Sequence, residues 1–494
     1  MNYNSTRSKD IVFSAQAIAA GIASDGGLYV PQSIPVLTNA EIKSLTGMDY
    51  KQRAVLVLDK FLTDYGHDNV AKCVEDAYTG SFDNEQPAPL YCLDDGTYMM
   101  ELWHGPTCAF KDLALQLLPH LLTKAVELTG EKRETVILTA TSGDTGKAAL
   151  EGFCDVGGTK IVVFYPENGV SDLQKLQMQT QSGDNVFVCA VKGNFDDAQT
   201  GVKTIFGDKE ILNKLSDAGK KFSSANSINW GRLAPQIVYY ISAWCDLMNK
   251  GEDLSDGFNV VVPTGNFGNI LAAYYAKCMG APINKLICAS NSNRVLTDFI
   301  ETGVYDRNRE FYTTVSPSMD ILISSNLERL LYELSGHDCE RVAALQSALS
   351  KEGKYYAGED VHAKVKELFY GGCCDEAETM QTILATNKKY GYICDTHTAV
   401  AVNVLEKYKK ETKDERPCVI ASTASPYKFP KSVLEALGES EGDDCFEDIE
   451  MLSQVCSLPV PAPIAQLKTK QRRFTAVCEK DKMADAVLSF LQID

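Results

Sequence analysis

The run from Glu101 to Asp112, Glu-Leu-Trp-His-Gly-Pro-Thr-Cys-Ala-Phe-Lys-Asp, ends on Lys111, a lysine in a largely apolar setting. A protonated lysine amine is a poor nucleophile, but it forms a Schiff base with an aldehyde once it is desolvated or placed beside another cation. The segment Pro263-Thr-Gly265-Asn266-Phe267-Gly268-Asn269 follows a β-branched run and precedes a helical one. Glycines there let the backbone take positive φ and approach a ligand, so that successive N–H groups point at one anion. A helix beginning near Asn269 adds partial positive charge and free donors. Either a phosphate sits there or the segment is an ordinary strand-to-helix turn. It matches neither GxGxxG nor GxxxxGK[ST], which disfavours a dinucleotide or a nucleoside triphosphate.

Three further stretches carry polar side chains after a strand-like run. Thr141, Ser142, Asp144 and Thr145, interleaved with Gly143 and Gly146, suit a carboxylate or phosphate. Taken alone, capping of the next helix by Ser142 or Asp144 is the better reading. Thr423, in Ile420-Ala-Ser-Thr-Ala-Ser425-Pro-Tyr-Lys428-Phe, offers a hydroxyl without charge, or caps a helix. Asn226, Ser227 and Asn229 lead to Arg232, which either forks onto a phosphate or pairs with surface carboxylates. His104 and His397 lie near candidate loops, the other histidines read as surface or core, and Cys108 reads as packing. No metal-ligand spacing is present.

From about residue 130, strands alternate with helices. The patterning predicts strands over 135–139, 160–165, 186–191, 221–225, 258–262, 285–289 and 418–421, with a long helix over 231–248. Short apolar strands separated by helices make an α/β fold with parallel sheets covered on both faces. Its ligands bind where loops leave the carboxyl ends of strands. The expected division is an N-terminal unit over 1–88, a larger unit from 89–130 and 236–494, and a smaller α/β unit over 131–235. A chain of 494 residues with 45% hydrophobic residues can bury two or three such units. A formal charge of −18 disfavours nucleic-acid and anionic-membrane partners, so an anionic substrate needs locally concentrated cations. No stretch reaches the ~20 apolar residues of a membrane span, and the first ten residues lack a signal-peptide core. Sixteen scattered cysteines without a CxxC pair read as reduced thiols, and a cytoplasmic protein is expected.

In combination, His104-Gly-Pro-Thr-Cys-Ala-Phe-Lys111-Asp112, Ala140-Thr-Ser-Gly-Asp-Thr-Gly146, Asn226-Ser-Ile-Asn-Trp230, Pro263-Thr-Gly-Asn-Phe-Gly-Asn269 and Thr423-Ala resemble the threonine synthase family. Tyr3-Asn-Ser-Thr-Arg7 and Ala23-Ser-Asp-Gly-Gly-Leu-Tyr-Val-Pro31 resemble its longer bacterial and fungal form. The resemblance implies a fold type II (tryptophan synthase β-like) pyridoxal 5'-phosphate enzyme. It also implies conversion of O-phospho-L-homoserine and water to L-threonine and phosphate, by a monomer or homodimer. Lys111 would then be the Schiff-base lysine, and Gly265, Asn266, Phe267, Gly268 and Asn269 the phosphate cup. Thr423 would meet the pyridine nitrogen, with Ser142, Asp144 and Thr145 against ring and substrate. His104, Thr141, Asn226, Ser227, Asn229 and Arg232 are the remaining substrate-side candidates. The family commonly reads Thr-Ala-His-Pro-Ala-Lys-Phe where this chain has Ser425 and Tyr427, and Lys147 stands where a small residue is usual. Lys147 either adds charge near the site or points to solvent. The alternatives are a related phospholyase or a serine/threonine dehydratase. A noncatalytic binding descendant should have lost Lys111 or the loop.

Overall fold

The computed structural model describes residues 1–493. The N-terminal unit opens with β1 (Asn2–Ser5), which pairs antiparallel with both β2 (Ile11–Phe13) and β3 (Tyr29–Pro31). Its helices Asn39–Thr46 and Tyr50–Phe61 pack on the long helix Trp230–Lys250. The buried Arg53 guanidinium ties them there through Ser242 and Asp246. Tyr3 and Phe61 close on the buried ring of Trp230.

Next comes an antiparallel hairpin, β4 (Leu90–Asp94) and β5 (Thr97–Glu101). Four parallel strands follow: β6 (Glu134–Ala140), β7 (Thr159–Pro166), β8 (Val186–Lys192) and β9 (Lys220–Ser223). Beyond the long helix lie β10 (Phe258–Pro263) and β11 (Ile283–Ser290), then the short antiparallel pair β12 (Val304–Asp306) and β13 (Lys354–Tyr356). β14 (Phe369–Cys373), β15 (Cys418–Ser422) and β16 (Val477–Glu479) complete the set.

Two sheets frame the site. The larger has the order β14-β11-β10-β15-β5-β4, and only its β4 edge is antiparallel; the smaller has the order β16-β8-β7-β6-β9, parallel throughout. Their central strands are apolar on both faces because helices cover both, as Val162 to Phe164 and Val260 to Val262 illustrate.

The structure departs from the sequence expectation in several places: β1 to β5, β12 and β13 are not among the expected strands, and three further departures bear on the two sheets. The strand expected over 221–225 ends at Ser223, because the chain turns away to reach residues 224–229. β14 was not foreseen, since Gly371 and Gly372 erase its apolar signature. They allow close packing: a Cβ on Gly372 would sit 2.5 Å from Val404 Cγ1. Third, β16 and the helix Met483–Leu491 pack on the smaller sheet, although the expected division assigns 236–494 to the larger unit. Among the described residues all cysteines are free, and no helix is long and apolar enough to cross a membrane.

Candidate active site

The loops leaving the carboxyl ends of β5, β6, β9, β10 and β15 carry the candidate residues. The β5 and β15 loops continue each other's pairing past the strands. Leu102 N donates to Ser422 O at 2.9 Å, Phe110 N to Thr423 O at 2.8 Å and Ser425 N to Cys108 O at 3.1 Å. This places Thr423 beside the segment that delivers Lys111. Cys108 takes a positive φ of 59° inside this ladder. Behind it Asp112, fully buried, accepts from Thr107 N at 2.8 Å and Thr107 Oγ1 at 2.6 Å. Burial pushes the Asp112 carboxyl up to about 6, against those two hydrogen bonds.

Lys111 begins a short helix, Lys111–Leu115, and its Nζ lies 3.2 Å from Ser318 Oγ and 3.5 Å from Asp144 Oδ2. Burial pushes the amine below the ordinary lysine range. Asp144 opposes that shift, and the positive charges of Arg232 and Lys428 reinforce it. Desolvation and neighbouring cations are the two agents that make a lysine nucleophilic.

Asp144 is not a helix cap. The cap position belongs to Gly143, with φ 141°, and no side chain caps there. Instead the Asp144 carboxylate lies 3.0 Å from the fully buried Lys428 Nζ and accepts from Gln174 Nε2 at 2.9 Å. Burial alone would raise its pKa, but Lys428 and then Lys111 hold it well below the usual carboxylate range. Gly143 is required as glycine, since a Cβ there would meet the Gln174 amide at 2.5 Å. Thr141 serves the loop itself: its Oγ1 accepts from Gly143 N at 3.0 Å and Gly146 N at 2.9 Å. Ser142 is exposed and Thr145 half-buried. Lys147 neither faces solvent nor joins the site; it is buried against Glu151 and Gln181.

The loop after β10 presents donors on one side. Gly265 O accepts from Ser324 Oγ, and Asn266 O accepts from Asn326 N and Nδ2. Among the described residues, no backbone N–H from Gly265 to Asn269 meets a protein acceptor. The positive φ, 64°, falls on Phe267 rather than on either glycine. Gly265 is needed for approach, because a Cβ would sit 2.6 Å from Ser318 O. Asn269 Oδ1 accepts from Tyr239 at 2.8 Å and Tyr240 at 2.5 Å, which leaves its buried Nδ2 without a partner.

In the cluster after β9, Arg232 is buried and donates from Nη1 to Ala225 O, and its Nε has no partner. Burial brings its pKa down to about 10, so it stays charged, and among the described residues no carboxylate pairs with it. Arg329, equally buried, contrasts with it by donating to Tyr29 O, Asn326 Oδ1 and Ile228 O. Asn226 is exposed and accepts from the neighbouring Ser227. Asn229 is occupied structurally, capping the long helix through Gly231 N and donating to Ile18 O. His104 sits between Asp83 at 2.7 Å and Glu101 at 3.0 Å, so both ring nitrogens are engaged. Burial opposes its protonation, but those carboxylates prevail and raise its pKa.

Lys428, Gln174, Ser318 and Tyr239 with Tyr240 are additions to the residues legible in the sequence. Only Lys428 lay within a stretch that drew attention, and nothing local marks Ser318.

Three family models match consecutive parts of the chain: Threonine synthase N terminus over 2–78, Pyridoxal-phosphate dependent enzyme over 87–423, and Threonine synthase, C-terminal over 398–488. Human "Threonine synthase-like 1" is 40% identical over 483 residues, 95% of this chain and 64% of that protein, so the chain spans under two thirds of that relative's length. Threonine synthase of Pseudomonas aeruginosa is 40% identical over 438 residues, 88% of this chain and 90% of that one. The crystal structure of pyridoxal-phosphate-bound threonine synthase from Brucella melitensis superposes with a TM-score of 0.88 at 36% identity, covering 99% of both chains. With the fold, the lysine and the donor-lined loop in place, the chain belongs to the threonine synthase family of pyridoxal-phosphate dependent enzymes.

Proposed function

We propose that the chain converts O-phospho-L-homoserine and water to L-threonine and inorganic phosphate. The observation that carries this reading is Arg232, a buried guanidinium with no counter-ion among the described residues, close enough to Lys111 to lower its pKa. A buried unpaired cation is costly and calls for an anion. The unpaired N–H groups of 265–269 and Asn269 Nδ2 form a second set of donors suited to an anion. The two sets fit two phosphates, one on the cofactor and one on the substrate, which a dehydratase acting on serine or threonine does not need.

The donor set suits pyridoxal phosphate. Its phosphate would rest on residues 265–269, its aldehyde carbon would meet Lys111, and its ring nitrogen would lie toward Thr423. When bound, the cofactor supplies an electron sink for carbanions at the substrate's α- and β-carbons. Lys111 Nζ, favoured in its neutral form by burial, is the group placed to take a proton from those carbons and return it. Asp144, kept ionised by Lys428, balances the charge that Lys111 gains on protonation. Arg232 would neutralise the phosphate leaving the γ-carbon.

Holoenzyme supplied with phosphohomoserine should yield threonine and phosphate in equal amounts, whereas release of an α-keto acid and ammonia would mark a phospholyase or dehydratase. In Arg232→Ala, KM for phosphohomoserine should rise roughly 10- to 100-fold, the cost of a hydrogen bond to a charged group. Binding of unphosphorylated amino acids should change far less, and equal losses for both would remove Arg232 from the phosphate site.

A further inference from the structure

Ser318 lies on the 3-10 turn Pro317–Met319, in the irregular segment between β12 and the helix Leu327–Leu334. Its Oγ is 3.2 Å from Lys111 Nζ, nearer than the Asp144 carboxylate. The turn is held from three sides. Asp320, one residue beyond it, gathers Asn291, Asn293 and Thr314 onto one carboxylate oxygen. The Ser318 carbonyl presses on the glycine face of residue 265. Ser318 N donates to His397 Nε2 at 3.1 Å.

That last contact settles where the histidine proton resides. His397 Nδ1 lies 2.7 Å from Asp395 Oδ2, and Asp395 also accepts from His397 N, Thr398 N and Thr398 Oγ1. A carboxylate receiving that many donors is an acceptor only, so Nδ1 carries the hydrogen and Nε2 presents a lone pair. Both residues are buried, at 0% and 3% exposure, and Phe429 packs on the imidazole. The trio Asp395, His397 and Ser318 has the composition of a nucleophilic triad but not its wiring. The histidine takes the serine's backbone N–H rather than its hydroxyl, so the hydroxyl remains free for Lys111.

We propose that Ser318 is a catalytic residue of this site, and that Asp395 and His397 position it. The Ser318 hydroxyl accepts one N–H of the Lys111 amine and thereby aims the amine's lone pair whenever Nζ is not covalently engaged. No bond to Ser318 forms or breaks, and a proton taken by Nζ stays there until it is returned to the substrate. The proposal rests on the reading of Lys111 as the proton-handling amine.

The test uses holoenzyme and four variants: Ser318→Ala, Ser318→Thr, His397→Phe and His397→Gln. Borohydride trapping of the cofactor on Lys111 is measured beside kcat and KM. Ser318→Ala should trap as fully as the unaltered protein, keep KM within about twofold and lose roughly 10- to 100-fold in kcat. Ser318→Thr should recover most of that loss. His397→Phe keeps a ring against Phe429 but offers the turn no acceptor, so it should lose kcat in the same manner. His397→Gln, which retains an acceptor oxygen, should lose less. A kcat for Ser318→Ala within about twofold of the unaltered enzyme overturns the assignment of Ser318. Equal losses in His397→Phe and His397→Gln overturn the positioning role, and absence of trapping in the unaltered protein sinks both this proposal and the reading of Lys111.

Discussion

Asn269 shows how a candidate binding group is set by the residues packed around it. Tyr239 and Tyr240, adjacent on the long helix, both place their hydroxyls on its Oδ1, which fixes the amide and leaves Nδ2 as the group free of a protein partner among the described residues. Removing both hydroxyls frees the amide to rotate and leaves a buried acceptor unpaired, at a cost of about 1–3 kcal/mol. The double variant Tyr239→Phe/Tyr240→Phe should therefore hold pyridoxal phosphate roughly tenfold more weakly, while its affinity for pyridoxal, which lacks the phosphate, stays nearly unchanged. Titration followed by cofactor absorbance checks this, and equal weakening of both compounds would refute it. The tyrosines were not legible in the sequence, because they read as ordinary core residues of an apolar helix. Lys111 and the loop over 265–269 were legible, since their chemistry follows from residue type and local order. Ser318 and Lys428 become meaningful only when segments about 200 and 300 residues from Lys111 fold against it.

The same contrast holds for whole elements. Strands buried on both faces announced themselves by continuous apolar runs, whereas β14 was hidden by its packing glycines. The cup was expected to turn on glycine φ angles, yet Phe267 takes the left-handed conformation and Gly265 provides clearance. Between the N-terminal unit and the cup lies a brace that composition does not reveal. Glu328 accepts from Thr6 Oγ1 at 2.5 Å, Arg7 Nε at 2.8 Å and Arg7 Nη2 at 2.7 Å. Its neighbour Arg329 holds Asn326, which in turn grips the Asn266 carbonyl. Glu328→Ala strips the buried end of this brace, leaving the Thr6 hydroxyl without its acceptor and part-exposed Arg7 without its carboxylate. It should lower stability by about 2 kcal/mol. Hydrogen exchange should accelerate in residues 2–31 and at 264–268 together; faster exchange confined to the first segment would show that the brace does not reach the loop.

At the scale of the whole molecule, the acidic surface and the site have opposite character. The chain carries a net charge of −18, yet in the buried site Lys111 and Lys428 share the Asp144 carboxylate and Arg232 has no carboxylate partner among the described residues. The chain also folds back on itself over its full length. β16 pairs in parallel with β8, Val477 lying opposite Ala190 and Glu479 opposite Lys192, and the helix Met483–Leu491 packs on β8 and on the helix Phe195–Gly207, joining the apolar cluster that holds Val136, Leu138 and Val162. The smaller sheet is thus contiguous in space but split in sequence. On the ribosome, residues 134–223 emerge long before their last strand, so β8 is left as an unprotected edge while most of the chain is still being made. Stalled nascent chains that end before residue 477 should be cut readily by protease within 186–223, and chains released after residue 491 should resist. Equal resistance of the two would mean that the sheet matures without its last strand.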